Sequence, residues 1–234
     1  MKVAVYFGSR ALYQDMLPAA KSLLAHTDVD RIFLLTEDDQ LPYELPRKIS
    51  VINISQIVPD YFDVNSPNYG TMWTYIGLIR VALSKLFPQY DRILSIDCDT
   101  IVIQDISELW DLPLDDYYFA AVREPLLSDE RQCIYINAGV MMLNLKKLRE
   151  DHKDDELIHA LNTQRYRWVA QDVMVERCQG GILELPSKYN RSQFTAPTDE
   201  VKIVHFAGCR NMEWRHEPLY QKYRDMPMED IRYL

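Results

Sequence analysis

The chain has 234 residues, 47% apolar and 26% charged, an ordinary globular mixture that can bury a substantial core as one large α/β domain or two small ones. A formal net charge of −9 argues against a general nucleic-acid or anionic-membrane surface, while leaving room for a local basic pocket. The four cysteines (Cys98, Cys133, Cys178 and Cys209) form no Cys-x-x-Cys pair, which points away from zinc and from a disulfide framework and towards a reducing cytosol.

The N-terminal run Val3–Phe7 reads as a strand. It is too short for a signal-peptide core, and no apolar stretch approaches the roughly 18 residues of a membrane span, so a cytoplasmic protein starting with its first strand is expected. Gly8-Ser9-Arg10 makes a turn, and Met16, Leu17, Ala19, Ala20, Leu23 and Leu24 recur at helical spacing, with Pro18 expected near the first turn of that helix. Residues 31–36 and 49–54 are the next strands, separated by a polar, proline-bearing loop. A further loop over 59–71 leads to a mostly apolar helix over 72–87, stopped by Pro88. The run 93–96 is a short β-branched strand of the buried type.

Strands and helices alternate to this point, the pattern of an α/β sandwich around a mostly parallel sheet. The second half is less regular. It offers strands over 119–122 and 139–145, helices over 155–161 and 171–178, a proline- and tyrosine-containing stretch over 185–194, and a last strand over 202–206. The charge run 150–156 reads as a solvated helix start. No repeat or low-complexity linker divides the chain, so one domain over 1–234 is expected.

Strand 93–96 ends on Asp97-Cys98-Asp99. Side chains two apart on an extended backbone share a face, and two anions so placed repel unless a cation lies between them. Carboxylates there suit Mn²⁺ or Mg²⁺, ions that also hold substrate phosphates. The same tripeptide also orders turns and caps helices, so both readings stand on these residues alone. Other polar residues have two readings as well. Arg80, among apolar neighbours, is either a ligand contact or an arginine reaching solvent. Asn137-Ala138-Gly139 suits a close backbone approach to a ligand, or a plain turn. Asp172 beside Gln171 suits a helix N-terminus, and His205 suits a packed residue or a ligand.

The ordered set is more specific than its parts: Arg80, then Arg92-Ile-Leu-Ser-Ile-Asp97-Cys-Asp99-Thr-Ile-Val, Asp105-Ile-x-x-Leu109-Trp110, Tyr135-Ile-Asn137-Ala-Gly139-Val-Met-Met-Leu-Asn144, Gln171-Asp172, Leu185-Pro-x-Lys188-Tyr-Asn190 and Ile203-Val-His205-Phe-Ala-Gly208. In these motifs the chain resembles glycosyltransferase family 8, the group of lipopolysaccharide galactosyltransferases and glycogenin, from Val3 to about Trp214. The resemblance implies a GT-A fold, a single Rossmann-like α/β/α sandwich with a mixed, mostly parallel central sheet, together with a UDP-glucose or UDP-galactose donor, Mn²⁺ with Mg²⁺ as a substitute, and retention at the anomeric carbon. It implies metal ligation by Asp97, Asp99 and His205. Donor contacts would come from Tyr13, Arg80, Asp97, Cys98, Asp99, Glu124, Asn137, Ala138, Gly208 and Arg210, with Gln171 facing the anomeric carbon and Asp172 as the nearest carboxylate.

Three departures stand out. Gly8-Ser9-Arg10-Ala11-Leu12 replaces a loop that in relatives often carries Asp or Asn to read uracil, leaving Tyr13 to stack on the base. Ala170 stands where many relatives have Asp, which favours front-face attack through an ion-pair-like step. Arg210 is the nearest cation to the place of a phosphate-clamp lysine, where Asn211 stands. The acceptor, a glycan or glycolipid, is not legible. Without a long basic or amphipathic tail, membrane contact is expected to be weak and to involve Trp214 and Tyr220 at most. The competing readings are a non-catalytic sugar-nucleotide binder and a haloacid-dehalogenase-like phosphatase.

Overall fold

A computed structural model describes residues 1–71 and 75–233, apart from the side chain of Arg210. Strand β1 (Val3–Phe7) leads through α1 (Tyr13–His26) to β2 (Arg31–Thr36) and β3 (Ile49–Asn53). A 3-10 helix (Tyr75–Ala82) runs into α2 (Leu83–Leu86), then β4 (Arg92–Ile96) and the short β5 (Thr100–Val102). The second half contains β6 (Phe119–Arg123), α3 (Pro125–Arg131), β7 (Ile136–Asn144), α4 (Leu145–Glu150), α5 (Lys153–Thr163) and α6 (Val169–Arg177). It closes with β8 (Ile182–Leu185), β9 (Ile203–His205) and α7 (Pro218–Asp225).

Seven strands form one sheet in the order β3-β2-β1-β4-β7-β6-β8, and β5 pairs with β9 in a separate antiparallel ribbon. Only β7 runs against its neighbours, β4 and β6, so four of the six pairings are parallel. On one face α1 packs Met16, Leu23 and Leu24 against Tyr6, Leu34 and Leu94. On the other, the 75–82 segment, α5 and α6 bring Ile79, Leu157 and Val173 onto Val5, Ile93 and Met141. Burial on both faces explains why the strand sequences are nearly continuous apolar runs rather than alternating ones. The result is the expected α/β/α sandwich with a mixed, mostly parallel sheet. Among the described residues no helix is long and apolar enough to cross a membrane.

Several expectations need correction. The helix expected over 72–87 is instead a 3-10 helix over Tyr75–Ala82 followed by one α-helical turn, with 72–74 outside the described residues. A 3-10 run of that length is uncommon and marks a segment shaped by its surroundings. Strand β7 begins earlier than expected and contains Asn137-Ala138-Gly139, where its register with β6 shifts. Pro18 lies well inside α1 rather than in its first turn. A proline there leaves the carbonyl four residues back without its helical donor, and the Tyr220 hydroxyl lies 3.4 Å from that Gln14 carbonyl. Trp214 (6% exposed) and Tyr220 (2% exposed) are packed with Ile101 and Tyr223, so neither is available for the membrane contact expected of them.

The C-terminal segment is fastened to α1 through a charge. Asp15 is fully buried, and its carboxylate accepts from Arg215 Nε at 2.9 Å, from Arg215 Nη2, and from Tyr220 Oη at 2.7 Å. A buried carboxylate deprived of its cation is strongly unfavourable. Arg215→Ala is therefore expected to lower unfolding free energy by about 3 kcal/mol, read by urea denaturation, whereas a loss within the error of the measurement would contradict this role.

Candidate active site

The site forms where β4 ends. The Asp97 backbone N–H donates to the Gly139 carbonyl at 2.9 Å, and Thr100 Oγ1 donates to the Asp97 carbonyl at 2.7 Å. These bonds hold the Asp97-Cys98-Asp99 turn against β7. The β5–β9 ribbon then brings in the histidine: Thr100 pairs with His205, and the Phe206 N–H donates to the Asp99 carbonyl at 2.9 Å. His205 Nε2 consequently lies 3.2 Å from Asp99 Oδ1 and 3.9 Å from Asp97 Oδ2. One ligand atom from each of Asp97, Asp99 and His205 falls within 4.8 Å of the others, so the three together could hold a metal ion. Two carboxylates and one imidazole suit a cation such as Mn²⁺, and no side-chain cation other than Arg80 pairs with them among the described residues.

The charges are mutually adjusted. Burial alone would push the Asp99 carboxyl up, but His205, as charge and hydrogen-bond partner, outweighs it and holds the carboxyl below its usual range. Burial likewise opposes the charged imidazole, and the carboxylates of Asp99 and Asp97 overcome that effect and raise it. Arg80 arrives from the 3-10 helix, buried, with Nη2 paired to Asp97 Oδ1 and its guanidinium over the Phe7 ring, 4.6 Å from the centroid. Its Nε is buried with no hydrogen-bond partner, a donor that an anionic ligand beside Asp97 would satisfy. Cys98 faces the opposite way. Its thiol donates to the Phe7 carbonyl at 3.2 Å and is pushed well up by burial and by both aspartates.

A second polar group adjoins the first. Asn137 Nδ2 donates to Glu124 Oε1 at 2.7 Å, and the Glu124 carboxyl is raised chiefly by burial. Gln171 is oriented at both ends of its amide: Oε1 accepts from the Ala138 N–H at 2.8 Å, and Nε2 donates to Tyr135 Oη at 3.2 Å. Tyr135 Oη donates in turn to Asp172 Oδ1 at 2.6 Å. Asp172 also accepts from Arg131 Nη1 at 3.0 Å and, at the start of α6, from the N–H groups of Arg167 and Trp168 at 3.1 and 2.8 Å. Four donors on one carboxylate leave it little nucleophilic character, so in this geometry Asp172 orients Tyr135 and, through it, Gln171. Ala170 is packed into the core with α6.

At the other end Gly208 has φ +75, and a Cβ there would meet Phe194 Cζ at 2.8 Å, so glycine is required. The backbone of Arg210 opens the next short helix, but its side chain lies outside the described residues. Tyr13 is turned inward and 7% exposed, with its hydroxyl donating to Asp38 and accepting from the Glu37 N–H at 2.8 Å. A ring so enclosed has no free face, which corrects the expected stacking of a base on it. Arg10 and Asp38 are the exposed groups at that loop, paired at 2.7 Å. Sequence reasoning placed Tyr135 and Asn190 only inside motifs. Both prove to hold candidate site residues, and their sole signal was position within those motifs.

Comparison with known proteins agrees with this geometry. A family model described as glycosyl transferase family 8 matches residues 35–216. General stress protein A of Bacillus subtilis is 29% identical over 231 residues, covering 80% of this chain and 78% of that protein. The lipopolysaccharide 1,2-glucosyltransferase of Escherichia coli K12 is 35% identical over 188 residues, covering 68% of this chain and 55% of that one. The crystal structure of the galactosyltransferase LgtC with donor and acceptor sugar analogues superposes with a TM-score of 0.70 at 19% identity, over 97% of this chain and 98% of that one. That likeness identifies the architecture as a GT-A fold. The chain spans about a third to somewhat under half of several other curated relatives. The family match removes the phosphatase reading of Asp97 and Asp99.

Gly139 is where the geometry is least forgiving. A Cβ on it would lie 2.1 Å from His205 Cε1 and 2.5 Å from Nδ1. Gly139→Ala is expected to displace the imidazole from Asp99 and weaken Mn²⁺ binding by about 10–100-fold or more, read by titration followed by electron paramagnetic resonance. Parental affinity in this variant would contradict the placement of His205.

Proposed function

The chain belongs to glycosyltransferase family 8, and on that footing we propose that it moves glucose or galactose from the UDP-sugar to a glycan or glycolipid acceptor, Mn²⁺-assisted and with retention, residues 1–234 acting as one catalytic unit. The observation that carries this reading is the convergence of Asp97, Asp99 and His205 beside a buried arginine with an unused donor. Asp97, Asp99 and His205 would hold the ion, which when bound supplies positive charge to the leaving diphosphate. Arg80, with one nitrogen on Asp97 and another unsatisfied, holds the anionic side of the donor in this reading. Glu124 and Asn137 offer a buried acceptor and donor pair for sugar hydroxyls, next to Gln171. Gln171 is clamped at both ends and so presents a fixed amide to the reacting carbon, consistent with front-face attack. Gly208 permits close backbone approach to the diphosphate.

Metal-dependent release of UDP from UDP-glucose or UDP-galactose is the test, with and without added sugar acceptors. Asp99→Ala is expected to lower that rate by about 100-fold or more, and EDTA to abolish it until Mn²⁺ is restored. Binding of both donors without turnover under any acceptor condition would favour the non-catalytic reading. Turnover indifferent to EDTA and to Asp99→Ala would sink the proposal.

A further inference from the structure

His205 has two ring nitrogens, and only one can face the carboxylates with a lone pair. Nδ1 lies 2.8 Å from Asn190 Oδ1, and Nε2 lies 3.2 Å from Asp99 Oδ1. Left to itself, a neutral imidazole beside an aspartate favours carrying its proton on the nitrogen that faces that aspartate. That tautomer would place a hydrogen where a metal ion must bind. The network behind the ring opposes it. The Gly139 backbone N–H, which can only donate, points at Asn137 Oδ1 at 3.0 Å, and Asn137 Nδ2 donates to Glu124 Oε1 at 2.7 Å. Asn137 therefore has one orientation. Asn190 Nδ2 lies 2.9 Å from that same Asn137 Oδ1, so Asn190 must present its nitrogen there and its oxygen to His205. Reversing Asn137 would set donor against donor at the Gly139 N–H, and reversing Asn190 would set acceptor against acceptor at Asn137 Oδ1, both buried contacts.

Asn190 is fully buried and held in place by the chain itself. Its carbonyl accepts from Thr195 Oγ1 at 2.9 Å, and the adjoining residue bonds β9 from both sides, Arg191 N–H to the Ile203 carbonyl and His205 N–H to the Arg191 carbonyl, each at 2.9 Å. The 185–194 segment thus runs beside β9 and delivers an amide oxygen to the back of the imidazole.

We infer that Asn190 is a positioning residue that fixes His205 in the Nδ1–H tautomer, through an orientation dictated by the Gly139 N–H and Asn137, so that Nε2 is kept bare for the metal ion. The inference rests on the reading of His205 as a metal ligand. Its tautomeric part needs no metal and can be measured without one. Partners of this kind, acting on the far nitrogen of a ligating histidine, raise metal affinity by about 10–100-fold.

The test uses the whole chain labelled with ¹⁵N-histidine and freed of metal, at a pH where the ring is neutral. Long-range ¹H–¹⁵N correlation spectra are expected to show His205 protonated at Nδ1 and bare at Nε2. In Asn190→Leu the proton is expected to move to Nε2, and the dissociation constant for Mn²⁺ alone, read by electron paramagnetic resonance, to rise about 10–100-fold. Asn190→Asp keeps an acceptor at Nδ1 and is expected to restore the Nδ1–H ring, which a merely structural loss would not do. An Nε2–H ring in the parent overturns the inference, and that spectrum decides the matter even if Asn190→Leu fails to fold. Weaker Mn²⁺ binding in His205→Ala with unchanged binding in Asn190→Leu overturns the inference alone. Unchanged binding in His205→Ala overturns it together with the metal site on which it rests.

Discussion

Repulsion between two carboxylates at the end of a buried strand is the constraint around which this molecule is arranged. Asp97 and Asp99 cannot both stay charged in a half-buried turn without compensation. Two segments far apart in the chain converge to provide it, Arg80 from the 3-10 helix and His205 from β9, while the Gly139 carbonyl of β7 holds the turn in place by the Asp97 N–H. Each brings a group of fixed geometry. The site is thus a set of paired charges rather than an acidic patch.

The sheet topology makes that convergence possible. Parallel β1 and β4 deliver the turn to their carboxyl ends, where open α/β sheets bind ligands. The reversal at β7 then sends Asn137, Ala138 and Gly139 past the same edge from the opposite direction. One strand running backwards lets its backbone serve the site three times: the Gly139 carbonyl holds Asp97, the Gly139 N–H orients Asn137, and the Ala138 N–H holds Gln171. Glycine at 139 also leaves the imidazole room to lie on that strand.

Much of this was legible in the sequence where local pattern and tertiary role agree. Strands β1, β2 and β4 are continuous apolar runs because they are buried on both faces, and the Asp-x-Asp turn is recognisable because its spacing matches the extended backbone. The 75–82 segment was misread because helical periodicity cannot tell a 3-10 helix from an α-helix when the packing around Arg80 decides. Tyr13 was misread because sequence shows a ring near the loop but not which way it turns; the Glu37–Asp38 corner, distant in the chain, draws it inward. Asp172 reads in sequence as the carboxylate nearest Gln171, and of its four donors only the N–H groups of Arg167 and Trp168 are local, while Arg131 and Tyr135 come from a stretch that no local window contains. Asn190 left no chemical signal of its own, since an asparagine after lysine and tyrosine reads as a turn residue until β9 is placed beside it.

Pro18 has a consequence for the architecture as a whole. An interrupted helix ordinarily leaves its freed carbonyl to solvent, but here Tyr220 of α7 covers it, its hydroxyl lying 3.4 Å away while donating its proton to the buried Asp15. The first helix is therefore covered at its proline by a residue more than two hundred positions later, beyond the end of the family match at 216. Residues 217–225 behave as a missing piece of the N-terminal half. Helix α1 therefore reaches its final packing only once residues 215–223 have joined it, so the order of the chain and the order of the fold part company here.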